Sequence, residues 1–276
     1  MSDFLASMAG TSRERVRTAK GRVGEAELRR AADAQPDPTP LRHDVSGFDV
    51  IAEFKPRSPS GGVQLGEGSR SAAKLGAAYA RGGAVAVSVV TEPTAFSGSL
   101  QALSEMVRHG GLPTMRKDFL VEPYQVVEAR AHGASGVLLI ARLLPASVLK
   151  EMIATAAAMK LFALVEAFDL DDLECAVQAL EGARGDWLLG VNARDLATLT
   201  LDAARHAELA RRAPAGVRLV AESGIAFPVD AARVARLGYC AALVGEALMR
   251  ADDPVPLLTN MIASGREAAA RREVTR

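Results

Sequence analysis

At 276 residues, 49% of them hydrophobic, the chain is long enough for two small domains or one large α/β barrel. Aromatic residues make up only 4%, so a core has to be built from alanine, valine and leucine. Lysine plus arginine and aspartate plus glutamate balance at 33 each, which argues against a nucleic-acid surface or an anionic-membrane binder but leaves room for a small anionic substrate.

Residues 1–45 come first. Leu5, Met8, Val16 and Leu28, spaced among Arg and Glu, predict amphipathic helix, and the proline-rich stretch Gln35 to Pro40 ends it. The segment reads equally as a lid across a barrel mouth and as a stabilising arm. Met1-Ser-Asp-Phe4 has no basic region leading into an apolar one, and no run approaches membrane-spanning length, so the expectation is a cytoplasmic protein.

Short apolar runs then recur at 50–54, 84–90, 113–116, 136–140, 161–165, 187–191, 217–221 and 241–244. Between them lie segments of helical periodicity, among them 71–81, 123–132, 146–159, 170–180, 203–213 and 228–237. Gly82-Gly83, Gly133, Gly182 and Gly238 stand where helix C-termini need glycine. Starts spaced by roughly 23–34 residues match one strand–helix unit each. Eight such units predict a (β/α)8 TIM barrel over 46–265, with an N-terminal helical extension over the barrel (1–45) and a charged C-terminal tail (266–276) that frays into solvent. A doubly wound sheet fits less well, because no GxGxxG follows the first strand.

The strand ends carry the chemistry. The first closes on Glu53 and Lys55, which period-two geometry sends to one side. The third closes on Lys117-Asp118, the fifth on Glu166, the sixth on Asn192 and Arg194. The seventh closes on Glu222-Ser223-Gly224 and the eighth on Gly245-Glu246. In a barrel these ends converge on one mouth, the seat of catalysis in this fold. Two lysines and three carboxylates without metal-ligand spacing point to acid–base chemistry on an organic substrate, with Schiff-base formation at a lysine as the other use of such an amine. Desolvation is expected to lower the Lys117 pKa and raise that of Glu166, setting up an acid and a base. The small-residue turns after the last two strands look like a phosphate cradle of Ser223, Gly224 and Gly245. Glu246 belongs to the same turn, where its carboxylate should point away from an anion held by backbone amides and Arg194 or Lys55. Cys175 and Cys240 read as buried small hydrophobes in a reduced cytosol, and His43, His109, His132 and His206 form no zinc pair, so no metal is expected.

The strings Ile51-Ala-Glu-Phe-Lys-Pro-Arg-Ser-Pro-Ser60, Thr91 to Ser99, Leu112-Pro-Thr-Met-Arg-Lys-Asp-Phe119, Leu164-Val-Glu166, Gly190 to Leu196, Ala221 to Ile225 and Val244 to Met249 resemble the indole-3-glycerol-phosphate synthase family of tryptophan biosynthesis. The match runs in order over about residues 48–250. It implies a lyase that closes the ring of carboxyphenylamino-deoxyribulose 5-phosphate with loss of carbon dioxide and water, and it implies no cofactor. By that resemblance Lys117 is the general acid, Glu166 the general base and Lys55 a second acid that also grips an anionic group. Glu53 orients Lys55, Asn192 positions Glu166 and the substrate hydroxyls, and Glu222 and Ser223 complete the catalytic set. Ser58 meets the substrate carboxylate, and Phe96, Phe119, Arg194 and Leu196 complete the substrate-binding set. The implied partner is a phosphorylated small molecule, and the expected assembly is a monomer or a weak homodimer. Rival readings are a paralogous synthase, another phosphosugar barrel such as the pathway's isomerase, and a non-catalytic scaffold. The isomerase would need a cysteine at a strand end, which Cys175 and Cys240 do not supply, and a scaffold has no use for three costly charged groups at one mouth.

Overall fold

Short β-branched and apolar runs that each need a helix to return can only pair in parallel, and eight of them close a sheet on itself. The computed structural model describes residues 3–42, 47–59, 62–63, 71–195 and 198–274. In it the runs form β1 (Asp49–Phe54), β2 (Ala86–Val90), β3 (Thr114–Lys117), β4 (Gly136–Ile140), β5 (Phe162–Ala167), β6 (Trp187–Asn192), β7 (Leu219–Glu222) and β8 (Ala241–Val244). Each strand pairs in parallel with its neighbours in sequence, and β8 closes on β1 through Asp49↔Ala241 to Ala52↔Val244, a (β/α)8 barrel.

The outer ring consists of α3 (Ala72–Arg81), α4 (Leu100–Gly110), α5 (Pro123–Ala131), α6 (Ala146–Ala158), α7 (Leu170–Leu180), α8 (Ala204–Arg212), α9 (Pro228–Leu237) and α11 (Pro254–Val274), with a short α10 (Glu246–Arg250) after β8. Ser71, Ser99 and Asp169 cap α3, α4 and α7 by accepting the backbone N–H three residues on. Gly133 and Gly238 follow α5 and α9 at φ 82° and 107°, where a side chain would be strained.

Two differences from the sequence reading bear on function. The third strand runs one residue further than expected, so Lys117 is itself a ladder residue, registered opposite Val90. The tail is not a solvated end: α11 runs unbroken through residue 266, with Ala268 and Ala269 buried. The reason is an apolar face hidden among arginines, and Arg266, which donates to the Phe48 carbonyl and the Asp49 carboxylate at the bottom of β1. In front of the barrel, α1 (Asp3–Arg22) and α2 (Glu25–Asp33) bury Leu5, Met8, Val16 and Leu28, the residues their periodicity singled out. No helix among the described residues is long and apolar enough to cross a membrane.

Helix α11 docks where Gly265 faces the fully buried Phe48, and a Cβ there would collide with the ring's Cδ1. Alanine would gain about 1 kcal/mol of helix propensity, but overpacking against a ring that cannot retreat costs about 1–3 kcal/mol. Gly265→Ala is therefore expected to be destabilising in urea unfolding; an unchanged or raised midpoint would mean α11 is not held there.

Candidate active site

Four strand ends deliver charged groups into one cavity of about 730 Å³ at the C-terminal mouth. Glu53 on β1 is buried and ion-paired to Lys55 at 2.6 Å, the mutual satisfaction that an acid and an amine two residues apart require. Lys117 Nζ lies 3.0 Å from Glu222 Oε2 on β7 and 3.4 Å from Glu166 Oε1 on β5. Asn192 on β6 donates from Nδ2 to the same Glu166 oxygen at 2.7 Å, and its Oδ1 accepts the Arg194 N–H. Asn192 and Glu222 are register partners, so neighbouring ladder positions fix their spacing.

Two glycines make room for these carboxylates. A Cβ on Gly190 would collide with Glu222 Oε1, and one on Gly245 with Glu53 Oε1. Gly245 has an ordinary φ of −117°, so space and not backbone conformation calls for glycine there.

The electrostatics differ from expectation. Burial alone would lower the Lys117 pKa, but the surrounding Glu166, Glu222 and Glu53 carboxylates outweigh it and push the ammonium well above its ordinary value. Lys117 is thus held charged, a proton carrier rather than a free amine, which removes the Schiff-base use at rest. Burial would raise Glu53, yet Lys55 and Lys117 hold it below the usual carboxylate range. Glu222 is pushed up to about 8 by burial and by the Glu166 carboxylate, despite the pull of Lys117. Its Oε1 is buried without a hydrogen-bond partner among the described residues. Burial and the neighbouring carboxylate thus favour the protonated form of Glu222.

On one side of this cluster Phe96 and Phe119 form an aromatic wall, their ring centroids 6.0 Å apart. On the other side Ser223 (φ 65°) and Gly224 (φ 71°) turn the chain after β7 in consecutive left-handed conformations, beside Gly245 at the start of α10. The left-handed conformation of Ser223, a non-glycine residue, costs free energy that the surrounding turn must offset.

The sequence comparisons fall on this same frame. The indole-3-glycerol phosphate synthase family model matches residues 5–260. The chain belongs to the indole-3-glycerol phosphate synthase family. An indole-3-glycerol phosphate synthase of Beutenbergia cavernae is 44% identical over 222 residues, covering 80% of each chain. Indole-3-glycerol phosphate synthase 1 of Streptomyces coelicolor is 41% identical over 256 residues, 91% of this chain and 92% of that one. Among solved structures, 3-hexulose-6-phosphate synthase from Salmonella typhimurium superposes with a TM-score of 0.59 at 14% identity over 80% of this chain and 99% of its own, a likeness of fold alone.

Of the residues singled out in the synthase-like strings, Glu53, Lys55, Ser58, Phe96, Lys117, Phe119, Glu166, Asn192, Arg194, Glu222, Ser223, Gly224, Gly245 and Glu246 all border the one cavity. Leu196 lies outside the described residues. The Glu246 carboxylate is occupied by Arg250, 2.9 Å away, which keeps its charge off the turn. Arg194 folds into its own loop, donating from Nη1 to the Leu199 carbonyl.

Several functional positions escaped the sequence reading. Phe4 of α1 lines the cavity and meets Phe119 edge-on at 6.0 Å. Arg15 of α1 grips Asp118, the neighbour of Lys117, through two hydrogen bonds of 2.7 and 2.9 Å, while Ser12 donates to the Phe119 carbonyl at 2.5 Å. Burial would raise the Asp118 pKa, but Arg15, Arg116 and the Thr91 hydroxyl reverse this and hold it low. No periodicity in α1 distinguishes Arg15 from the other arginines of that helix. Glu92 is different: it lies two residues past the end of β2, close enough to a strand end for the same rule of polar strand ends to apply to it.

The raised Glu222 pKa makes a stability prediction. A carboxyl that keeps its proton in the folded state up to about pH 8, but loses it near 4.5 when unfolded, costs the fold stability as pH rises through that window. Glu222→Gln removes the cost, so its urea midpoint should gain on the parent's between pH 5 and pH 8. An equal gap at both pH values would show that Glu222 ionises normally.

Proposed function

We propose that the chain catalyses the reaction its relatives are named for: ring closure of 1-(2-carboxyphenylamino)-1-deoxyribulose 5-phosphate to indole-3-glycerol phosphate, releasing carbon dioxide and water. The observation that carries the proposal is the Lys117 ammonium held between Glu166 and Glu222, with an aromatic wall on one side and a strained glycine turn on the other. The substrate has an aromatic acid at one end and a phosphate at the other, and the cavity offers chemistry suited to each.

In this reading Lys117 protonates the ketone oxygen as the ring carbon bearing the carboxylate attacks the carbonyl carbon. The carbon–carbon bond forms, the carboxylate leaves as carbon dioxide, and its bonding electrons stay in the ring system. Lys55 then donates a proton to the departing hydroxyl, and Glu166, oriented by Asn192, removes the proton that restores aromaticity. Proton transfers alone balance these steps, so the proposal calls for no cofactor. Glu53 holds Lys55 in place. Ser58 and Arg194 face the carboxylate, Phe96 and Phe119 the ring. The backbone around Ser223, Gly224, Gly245 and Glu246 receives the phosphate, with Lys55 supplying positive charge. Leu196 is proposed as a further contact on the loop that carries Arg194.

We place this enzyme in the cytoplasm, acting as a monomer or weak homodimer. Cys175 lies within α7 and Cys240 just ahead of β8, a separation that suits a reduced compartment. The large hydrophobic side chains most exposed among the described residues are Leu201, Phe227 and Val229, and the first two border the mouth.

Turnover of the carboxyphenylamino substrate, followed by indole fluorescence, tests the function. Lys117→Met should lower kcat by roughly 10²–10⁴-fold with the fold intact, the range of general acid catalysis. A loss within about tenfold, only ~1.4 kcal/mol of barrier, would remove Lys117 from the acid role. Inorganic phosphate should compete with substrate, and Gly224→Val, which strains a left-handed turn, should weaken that competition.

A further inference from the structure

Glu92 is the second residue after β2 and is wholly buried. A carboxylate taken out of water needs several strong partners. Those of Glu92 are backbone N–H groups: Oε1 accepts from Thr94 at 2.9 Å, and Oε2 accepts from Ala95 at 2.6 Å and Phe96 at 3.1 Å. Its own carbonyl accepts the Gly98 N–H at 2.8 Å. One residue thus gathers four amides of the loop between β2 and α4. The loop would not hold this shape unaided. Ser97 sits at φ 54°, a left-handed conformation that a side chain resists, and a Cβ on Gly98 would strike the Val90 carbonyl.

The gathered loop reaches two parts of the mouth. Its Phe96 ring stands 6.0 Å from Phe119 in the aromatic wall. Its Phe96 carbonyl accepts the Arg57 N–H at 3.1 Å, which ties it to the loop after β1, between Lys55 and Ser58. We propose that Glu92 is a positioning residue: by gathering the amides of Thr94, Ala95 and Phe96 it sets the aromatic wall and the register of the first loop, and so governs affinity for the aromatic acid end of the substrate. The identity of that ligand rests on the proposed function; the brace does not. Glutamine has the same shape but only one acceptor oxygen, so its amide nitrogen would face backbone N–H groups and lose their bonds.

The test is hydrogen exchange by mass spectrometry on Glu92→Gln, reading the peptides over residues 91–99 and 55–59, together with steady-state kinetics. Hydrogen bonds to a charged group are strong enough that losing them should speed exchange in both segments by roughly tenfold or more. KM should rise by at least tenfold, with a smaller fall in kcat and unchanged inhibition by inorganic phosphate. In a Phe96→Ala background the same substitution should add little to KM, because both changes remove one wall. Should Glu92→Gln fail to fold, Gly98→Ala disturbs the loop from its other side and should reproduce the exchange and KM changes. Unchanged exchange over 91–99, or a full-sized Glu92 effect on KM without Phe96, overturns the brace. Failure of the parent to turn over the substrate would overturn the proposed function alone, and the exchange result would still judge Glu92.

Discussion

An ammonium surrounded by carboxylates at the centre of the mouth is the constraint to which the surrounding structure answers. Lys117 faces Glu166 and Glu222 directly and feels Glu53 beyond them. Three acids so close repel unless cations or protons intervene. Lys55 neutralises Glu53, Lys117 serves Glu166, and Glu222 is left to keep its proton. The resting cluster is therefore close to neutral. Were Glu222 ionised, it would add a negative charge beside Glu166 and Glu53 and oppose a ligand with a carboxylate and a phosphate. A high proton affinity at Glu222 therefore suits a ligand with two anionic ends.

Precision in this cluster comes from the ladder and from a buried layer behind it. Glu53, Lys117, Glu166, Asn192 and Glu222 are all strand residues fixed by parallel pairing, Glu166 and Glu222 on both sides and the other three on one. Behind Lys117, the buried Arg116 donates to Thr91, to the Gln125 carbonyl and to Glu128, and Thr91 in turn donates to Asp118. The extension enters the same network through Arg15 and Ser12 of α1. Of the two roles open to that extension, lid or arm, the contacts favour a third: it is a wall of the site, fastened to the residues next to Lys117.

Much of this was legible in the sequence because two periodicities do not overlap. Runs such as 136–140 and 241–244, flanked by turn residues, fall on β4 and β8 residue for residue, and α7 and α9 fall where the helical pattern put them. Polar residues closing apolar strands were equally plain, since nothing in a core explains them. What sequence could not disclose was sign and reach. Whether Lys117 is pushed up or down depends on the distances to Glu166 and Glu222, residues 49 and 105 positions away. Arg15 meets Asp118 across 103 positions, and only the closed barrel brings them together. The glycines at 190 and 245 belong to the same class: their purpose is the carboxylate that fills the space on a neighbouring strand.

The two ends of the barrel resolve their charges in opposite ways. At the bottom, charges near the strand starts meet in ion pairs: Arg266 with Asp49 ahead of β1's apolar core, and Arg218 ahead of β7 with Asp186 ahead of β6. These pairs close the sheet's lower rim. At the top, carboxylates outnumber local cations, Ser223 holds a left-handed φ, and the buried Glu222 Oε1 has no donor among the described residues. Each of these costs free energy in the resting fold. The long α11, docked against Phe48, and the extension clamped on Asp118 supply burial that offsets the cost. The extension lies outside the eight strand–helix units in which the chemistry resides, whereas α11 is the helix of the eighth unit. Elements at both ends of the chain are thus part of what lets the mouth remain strained and charged.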